Sequence, residues 1–354
     1  MRILKLYLLT VALSLLGLAS CDLFTPKPEP GSRNYVWEID TLYMPMNYIS
    51  TVWGASPNNL WAMGAGGTHN DRLLHYNGTG WSTYTNEVIW CSGQTLFGFS
   101  EDDIWMGGQA GWLDHGAGIW HYDGIKWEQN FIYNPDETYH SIHINDIWGS
   151  SPDNVYACGT RVFFDGTNSW FKGFVLHYNG TDWQEIVRSD TNSQFLKIRE
   201  EDDKVFVFSY GLNSNNFSNS DIEFYLVKNN EIEQIYSNKE SVIDWAGLNS
   251  VNGKVYFIID NNVFNYKNGV FNEFLSINMD NLYRHVCGRN KNDLFIPMSD
   301  GIVHYNGTDM EYIYQLPSTD MRFTGEPLVL ERDIYYCISY PGENELILHG
   351  KLEE

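Results

Sequence analysis

A nine-residue passage recurs along this chain, so the fold must be built from repeated units. Trp53-Gly54-Ala55-Ser56-Pro57-Asn58-Asn59-Leu60-Trp61 is matched by Trp148-Gly149-Ser150-Ser151-Pro152-Asp153-Asn154-Val155-Tyr156. Residues 97–105 form a third copy, and residues 287–295 a weaker fourth. A second passage follows each. It reads Leu74-His75-Tyr76-Asn77-Gly78-Thr79-Gly80-Trp81, and returns at 120–127, 176–183 and 303–310. Ser-Pro followed by Asn or Asp is type I turn chemistry. Asn-Gly or Asp-Gly between apolar runs predicts a hairpin whose two turn residues both take φ > 0.

Each unit therefore holds four short strands, a to d. Strand a enters the Ser-Pro turn and strand b leaves it, strand c ends in His-Tyr, and strand d begins at the Trp. The spacing of roughly 40–55 residues falls in the range of circular sheet arrays. Degenerate copies occupy 198–231 and 248–271. The last copy, Asp333-Ile334-Tyr335-Tyr336-Cys337 with Leu346-Ile347-Leu348-His349, stops without a fourth strand. Tyr35-Val36-Trp37-Glu38-Ile39 carries the missing pattern, since it aligns with Trp183-Gln184-Glu185-Ile186. The prediction is an all-β, seven-bladed β-propeller of four-stranded antiparallel blades over 34–354, its last blade completed by the N-terminal strand. Closure of this kind leaves no open sheet edge. No sustained 3.6-residue apolar period appears after the leader, so helix is not expected.

These motifs resemble the β-propeller superfamily, particularly propeller lipoproteins of Bacteroidetes-like bacteria, and the resemblance covers residues 35–352. It is specific for fold and nearly silent on function, because propellers host many activities. The leader supports the lipoprotein half of the resemblance. Arg2 and Lys5 precede an apolar run from 6 to 18, and Leu18-Ala19-Ser20-Cys21 resembles a lipobox. The alternative is an ordinary secretory signal with a chance cysteine. The lipobox reading makes 1–20 a cleaved signal peptide and Cys21 the acylated N-terminus. Residues 21–33, with Pro26, Pro28 and Pro30, become a semi-extended tether to the membrane, placing the protein in the cell envelope at the outer membrane or cell surface. Of the other cysteines, Cys158 and Cys337 share one repeat position and are expected to be free, buried thiols.

Several function classes are excluded. With 45 acidic against 22 basic side chains and a net charge of −23, the chain lacks a phosphate-binding surface, so no nucleic-acid partner is expected. Neither a Gly-x-Ser-x-Gly elbow nor an HExxH pair occurs. His75, His121, His177 and His304 recur on strand c of separate blades, where they cannot converge on one metal ion. A repeated hydrogen bond inside each blade accounts for them better. The runs 101–103 and 200–203 read as turns, because neither has the ligand alternation of a calcium loop. No metal, cofactor or catalytic set is predicted.

Loop asymmetry is more informative. The a–b and c–d turns share one face of a propeller and are short here. The b–c and d–a connections share the other, and they vary: 64–72, 107–118, 159–173 and 209–221, with 128–143 between blades. They carry aromatics that the repeat does not require: Trp112, Phe163, Phe164, Trp170 and Phe171, with Phe131, Tyr133, Tyr139, His140 and His143. Variable loops on a rigid scaffold are where binding sites concentrate. The expected role is non-catalytic binding of a glycan or of a peptide or protein partner through these residues. Against it stand three alternatives: rings that merely pack the loops down, a glycan-active hydrolase or lyase using Asp114, Asp136 or Asp165, and a structural subunit of an envelope complex.

Overall fold

The computed structural model describes residues 31–353, except 43–47, 66–72, 85–90, 111–115, 136–137, 213–219, 239–245, 278, 280–284 and 341–344. Cys21 and the residues up to 30, expected as lipid anchor and tether, lie outside the described residues, together with Trp112, Asp114 and Asp136. The described residues form seven four-stranded antiparallel sheets and no helix. Six sheets use consecutive strands, a to d. The seventh orders its strands Arg322–Val329, Asp333–Ser339, Glu345–Leu352 and then Tyr35–Leu42. The N-terminal strand pairs in unbroken register, from Tyr35 opposite Leu352 to Leu42 opposite Glu345. Trp37 lies across Gly350, where any Cβ would stand 2.4 Å from the indole. The other blades with a strand-d Trp have Tyr at the facing position.

Blades pack through aromatic side chains. Trp61 of blade 1 meets Tyr122 and Trp127 of blade 2 at 5.1 and 5.5 Å between ring centroids. Trp105 meets Tyr178 and Trp183 of blade 3 at 5.0 and 5.5 Å. Both strand-b tryptophans are at most 2% exposed, so truncating either to Ala carries the cost of a large core deletion, about 3–5 kcal/mol. The strand-d indoles reach back to the preceding blade. Trp81 donates to Asp40 at 3.2 Å, Trp183 to Asn130 at 3.0 Å, and Trp37 to the Ile313 carbonyl at 3.1 Å.

The recurrent histidines make the hydrogen bond expected of them. His75 bonds Asn59 (2.8 Å), and His121, His177, His304 and His349 bond Asp103, Asn154, Asp293 and Asp333 (each 2.7 Å). Each ring lies over the strand-b aromatic, 4.3–4.6 Å away by centroid. The pair therefore fixes strand c against the start of strand b and orients the core ring. Blades 4 and 5 carry Lys204 and Lys254 instead of Asn or Asp, and their c strands contain no histidine. Both halves of the motif are absent together.

One turn expectation needs correction. The Asn-Gly and Asp-Gly c–d hairpins of blades 1, 2, 3 and 6 are four-residue loops, with only the glycine at positive φ, between +86° and +90°. The preceding side chain closes the loop. Asn179, for example, accepts the Thr181 and Asp182 N–H groups at 3.0 Å, and Asp123 accepts those of Ile125 and Lys126 at 2.9 Å. The side-chain oxygen replaces the second positive φ. The two-residue form, with both φ positive, appears in the degenerate blades at Asp202-Asp203, Asn229-Asn230, Asn252-Gly253 and Asn268-Gly269.

At the centre, three inner strands share a charge cluster. A bulge in strand a of blade 7, between Thr324 and Leu328, sets Glu326 out of its ladder. Its carboxylate meets Arg199 at 2.6 and 2.8 Å and Lys197 at 2.9 Å, both on strand a of blade 4. Arg199 also pairs with Asp146 of blade 3, which accepts the Ile198 N–H at 2.9 Å. Blades 4 and 7 are not neighbours, so this contact crosses the central channel. Burial pushes the Glu326 carboxyl up, but Arg199 and Lys197 outweigh it and hold the group well below its usual range. Such a carboxylate stabilises the fold fully above the unfolded-state value near pH 4, and that contribution is lost as pH falls towards the folded value. Glu326→Gln should therefore lower stability by roughly 2 kcal/mol at neutral pH, less than the loss of a fully buried pair because the Glu326 side chain is 30% exposed. Urea titrations at descending pH should show the gap to the wild type narrowing below about pH 4. Equal stability at pH 7 would contradict the clasp.

Candidate ligand-binding face

The most elaborate feature on the b–c face is in blade 3. The segment 159–173, expected as a loop, is a β-hairpin. Strands Asn154–Phe164 and Ser169–Tyr178 pair continuously from Val155–Tyr178 to Phe164–Ser169, and only four residues make the turn. Asp165 closes that turn by accepting the Asn168 and Thr167 N–H groups at 2.8 and 2.9 Å. Those bonds hold its carboxyl below the usual range, so it is a turn former and is poorly suited to act as a general acid.

The hairpin is fixed to the scaffold at its base. Arg161 is 1% exposed and donates to the Ser189 carbonyl at 2.8 Å and the Gly173 carbonyl at 3.5 Å. Gly173 is required there, since a Cβ would stand 2.3 Å from the Phe195 ring of blade 4. Above this base Phe163 and Trp170 form a cross-strand pair, 5.9 Å apart and parallel to 2°. Lys172 lies 5.5 Å from the Phe163 centroid and is held by Asp190 at 3.1 Å. Phe164, on the opposite side of the hairpin, is 51% exposed and meets His140 edge-on at 5.8 Å. The Phe171 amide donates to Asn192 at 2.8 Å. Phe163 and Trp170 thus share one side of the projection, while Phe164, with His140 of the preceding connection against it, lies on the other.

Of the other described candidates, Tyr133 belongs to the interior, while Phe131, Tyr139 and His143 are half-buried. Tyr133 is 5% exposed and stacks on Phe174 at 4.2 Å, with its hydroxyl donating to Glu185. Burial and the Glu185 carboxylate push its pKa above the usual phenol range. Phe131 and Tyr139 pack against the same blade 2–3 core cluster, and Tyr139 donates to Asn134. His143 bonds Ser141 at 3.1 Å, and burial lowers its pKa. Cys158, Cys287 and Cys337 are free, and burial pushes the Cys287 thiol up to about 12, which leaves it unreactive. Among the described residues, no group of three His, Cys, Asp or Glu side chains converges as metal ligands.

Sequence reasoning missed a cleft on the rim, at the seam between blades 7 and 1. Trp81, Tyr76, Glu38, Asp40 and His349 line it. The available signal was Tyr335, standing where blades 1 and 2 carry tryptophan.

No family model and no curated protein matches this chain. Solved structures do. The extracellular domain of a putative hybrid two-component system from B. thetaiotaomicron aligns at TM-score 0.51 and 14% identity, over 88% of this chain and 39% of that one. A Dyadobacter fermentans protein of unknown function aligns at 0.50 and 10% identity, over 89% of this chain and 98% of its own. An acylaminoacyl peptidase aligns at 0.54 and 12% identity, covering 88% of this chain and 53% of the peptidase. The chain spans well under two thirds of the first and third. At such identities the likeness shows the fold alone.

Proposed function

We propose that this chain is an envelope-anchored, non-catalytic binding protein that presents the blade 3 hairpin to a glycan or a peptide partner. The observation that carries the reading is the half-buried Trp170, stacked on the buried Phe163, with Phe164 exposed on the other side of a hairpin that Arg161 and Gly173 fix to the ring. A pre-ordered aromatic surface binds without paying for loop ordering. Flat rings beside Asn168, Asn192 and Asp190 suit sugars or peptide segments. The net charge of −23 disfavours polyanions and favours neutral or cationic ligands.

Chain direction supports the anchored orientation. Arg33 pairs with Asp309 at 2.5 Å and Glu311 at 3.1 Å, beside the c–d turn of blade 6. The chain thus leaves the propeller on its turn face. A lipid on Cys21 would place that face towards the membrane and the blade 3 hairpin away from it. Two measurements test the proposal. Fatty-acid labelling should mark the wild type and miss Cys21→Ser; equal labelling would remove the anchor. On a glycan and peptide array, Trp170→Ala and Phe164→Ala should abolish the wild-type signals at unchanged melting temperature. An unchanged array profile would reject the hairpin as the site.

A further inference from the structure

The rim cleft is a second site, chemically distinct from the hairpin. It arises because the seam between blades 7 and 1 is underfilled. At the next two seams, strand-b tryptophans fill the space against the Tyr–Trp pair of the following blade. Here the smaller Tyr335 stands in that position, and a cavity of about 380 Å³ remains beside Trp81 and Tyr76. A further cavity of about 350 Å³ adjoins it and shares Asp40, Tyr76 and Trp81. Strand d of blade 1 is only Trp81–Thr83, while Tyr35–Leu42 opposite is eight residues long, which leaves the second cavity open. Each volume is in the range of small-ligand sites.

The lining is fixed and chemically mixed. The Trp81 indole is held by its bond to Asp40 at 3.2 Å and lies 5.3 Å from Tyr76, inclined at 42°. Asp333 is bound to His349 at 2.7 Å, which removes one carboxylate from competition for a cation. Glu38 and Asp40 alternate on the exposed N-terminal strand and present acceptor oxygens, while Asn58 and Lys351 add donors. Donors and acceptors of both signs around two aromatic rings suit a polyhydroxyl ligand better than a single charge. Two adjoining cavities that share Trp81 and Tyr76 suit a repeating unit.

We infer that this cleft binds an oligosaccharide, with Trp81 and Tyr76 as the platform for successive rings and Glu38, Asp40 and Asn58 bonding its hydroxyls. The site lies on the outer rim near the turn face and stands independently of the hairpin reading. Isothermal titration with cellohexaose, xylohexaose, chitohexaose and a chitosan hexamer at millimolar concentration tests it. At least one should bind, with affinity reduced about tenfold or more in Trp81→Ala and in Glu38→Gln, and unchanged in Trp170→Ala. Glu38 is exposed, so Glu38→Gln should retain the wild-type melting temperature and stand even if Trp81→Ala misfolds. No binding by any hexamer, or binding indifferent to both rim variants, overturns the inference. So does capture of lysine-rich peptides at the cleft without any sugar. Binding lost only in Trp170→Ala would overturn the rim site while supporting the hairpin.

Discussion

The last sheet of this ring is finished by the strand that began the chain, and a set of long-range ties on both flanks of blade 7 serves that closure. The N-terminal strand contributes its complete ladder to blade 7. Trp37 then bridges to blade 6 through the Ile313 carbonyl, and Arg33 reaches Asp309 and Glu311 of the same blade. On the other side, Glu345 accepts the Ile49 N–H of blade 1 at 3.1 Å, so blade 7 is held on both flanks. The Glu326–Arg199 pair adds a connection across the axis to blade 4. Closure therefore rests on few residues, and these contacts span more than 250 positions of sequence at Arg33 and Trp37.

Closure also decides what the surface can do. Each blade keeps only short edge strands at its inner and outer ends, so recognition falls mainly to side chains on hairpins and seams. The blade 3 hairpin is an outgrowth of regular strand, so its aromatic rings inherit the rigidity of the sheet. The seam between blades 7 and 1 is where the two ends of the described chain meet. Its smaller filling residue, Tyr335, stands where Trp61 and Trp105 fill the next two seams, and leaves a cavity there.

The fold was legible because turn chemistry and aromatic spacing repeat together. Trp-Gly with Ser-Pro marked strands a and b, His-Tyr with Asn-Gly marked c and d, and the orphan strand at Trp37 identified itself by the strand-d pattern. The turn geometry was misread because an Asn side chain can supply the closure that a second left-handed residue supplies elsewhere. The hairpin at 154–178 was hidden by Asp165-Gly166-Thr167-Asn168, whose composition resembles a loop while only those four residues turn. Aromatic content alone could not separate Tyr133, which packs on Phe174, from Trp170, since both lie in variable segments. The axial clasp left no local trace, because Glu326 and Arg199 are 127 residues apart and meet only once the ring is closed.

Native-state hydrogen exchange over the whole ring tests closure most directly. The amides of Tyr35–Leu42 that bond the facing strand, and those of the paired Glu345–Leu352, should exchange only through global unfolding, with the same free energy as the inner strands of blades 2 and 3. Exchange of residues 35–42 through a much cheaper local opening, while the other six blades stay protected, would contradict the account. The N-terminal strand would then be an accessory to the ring rather than its lock.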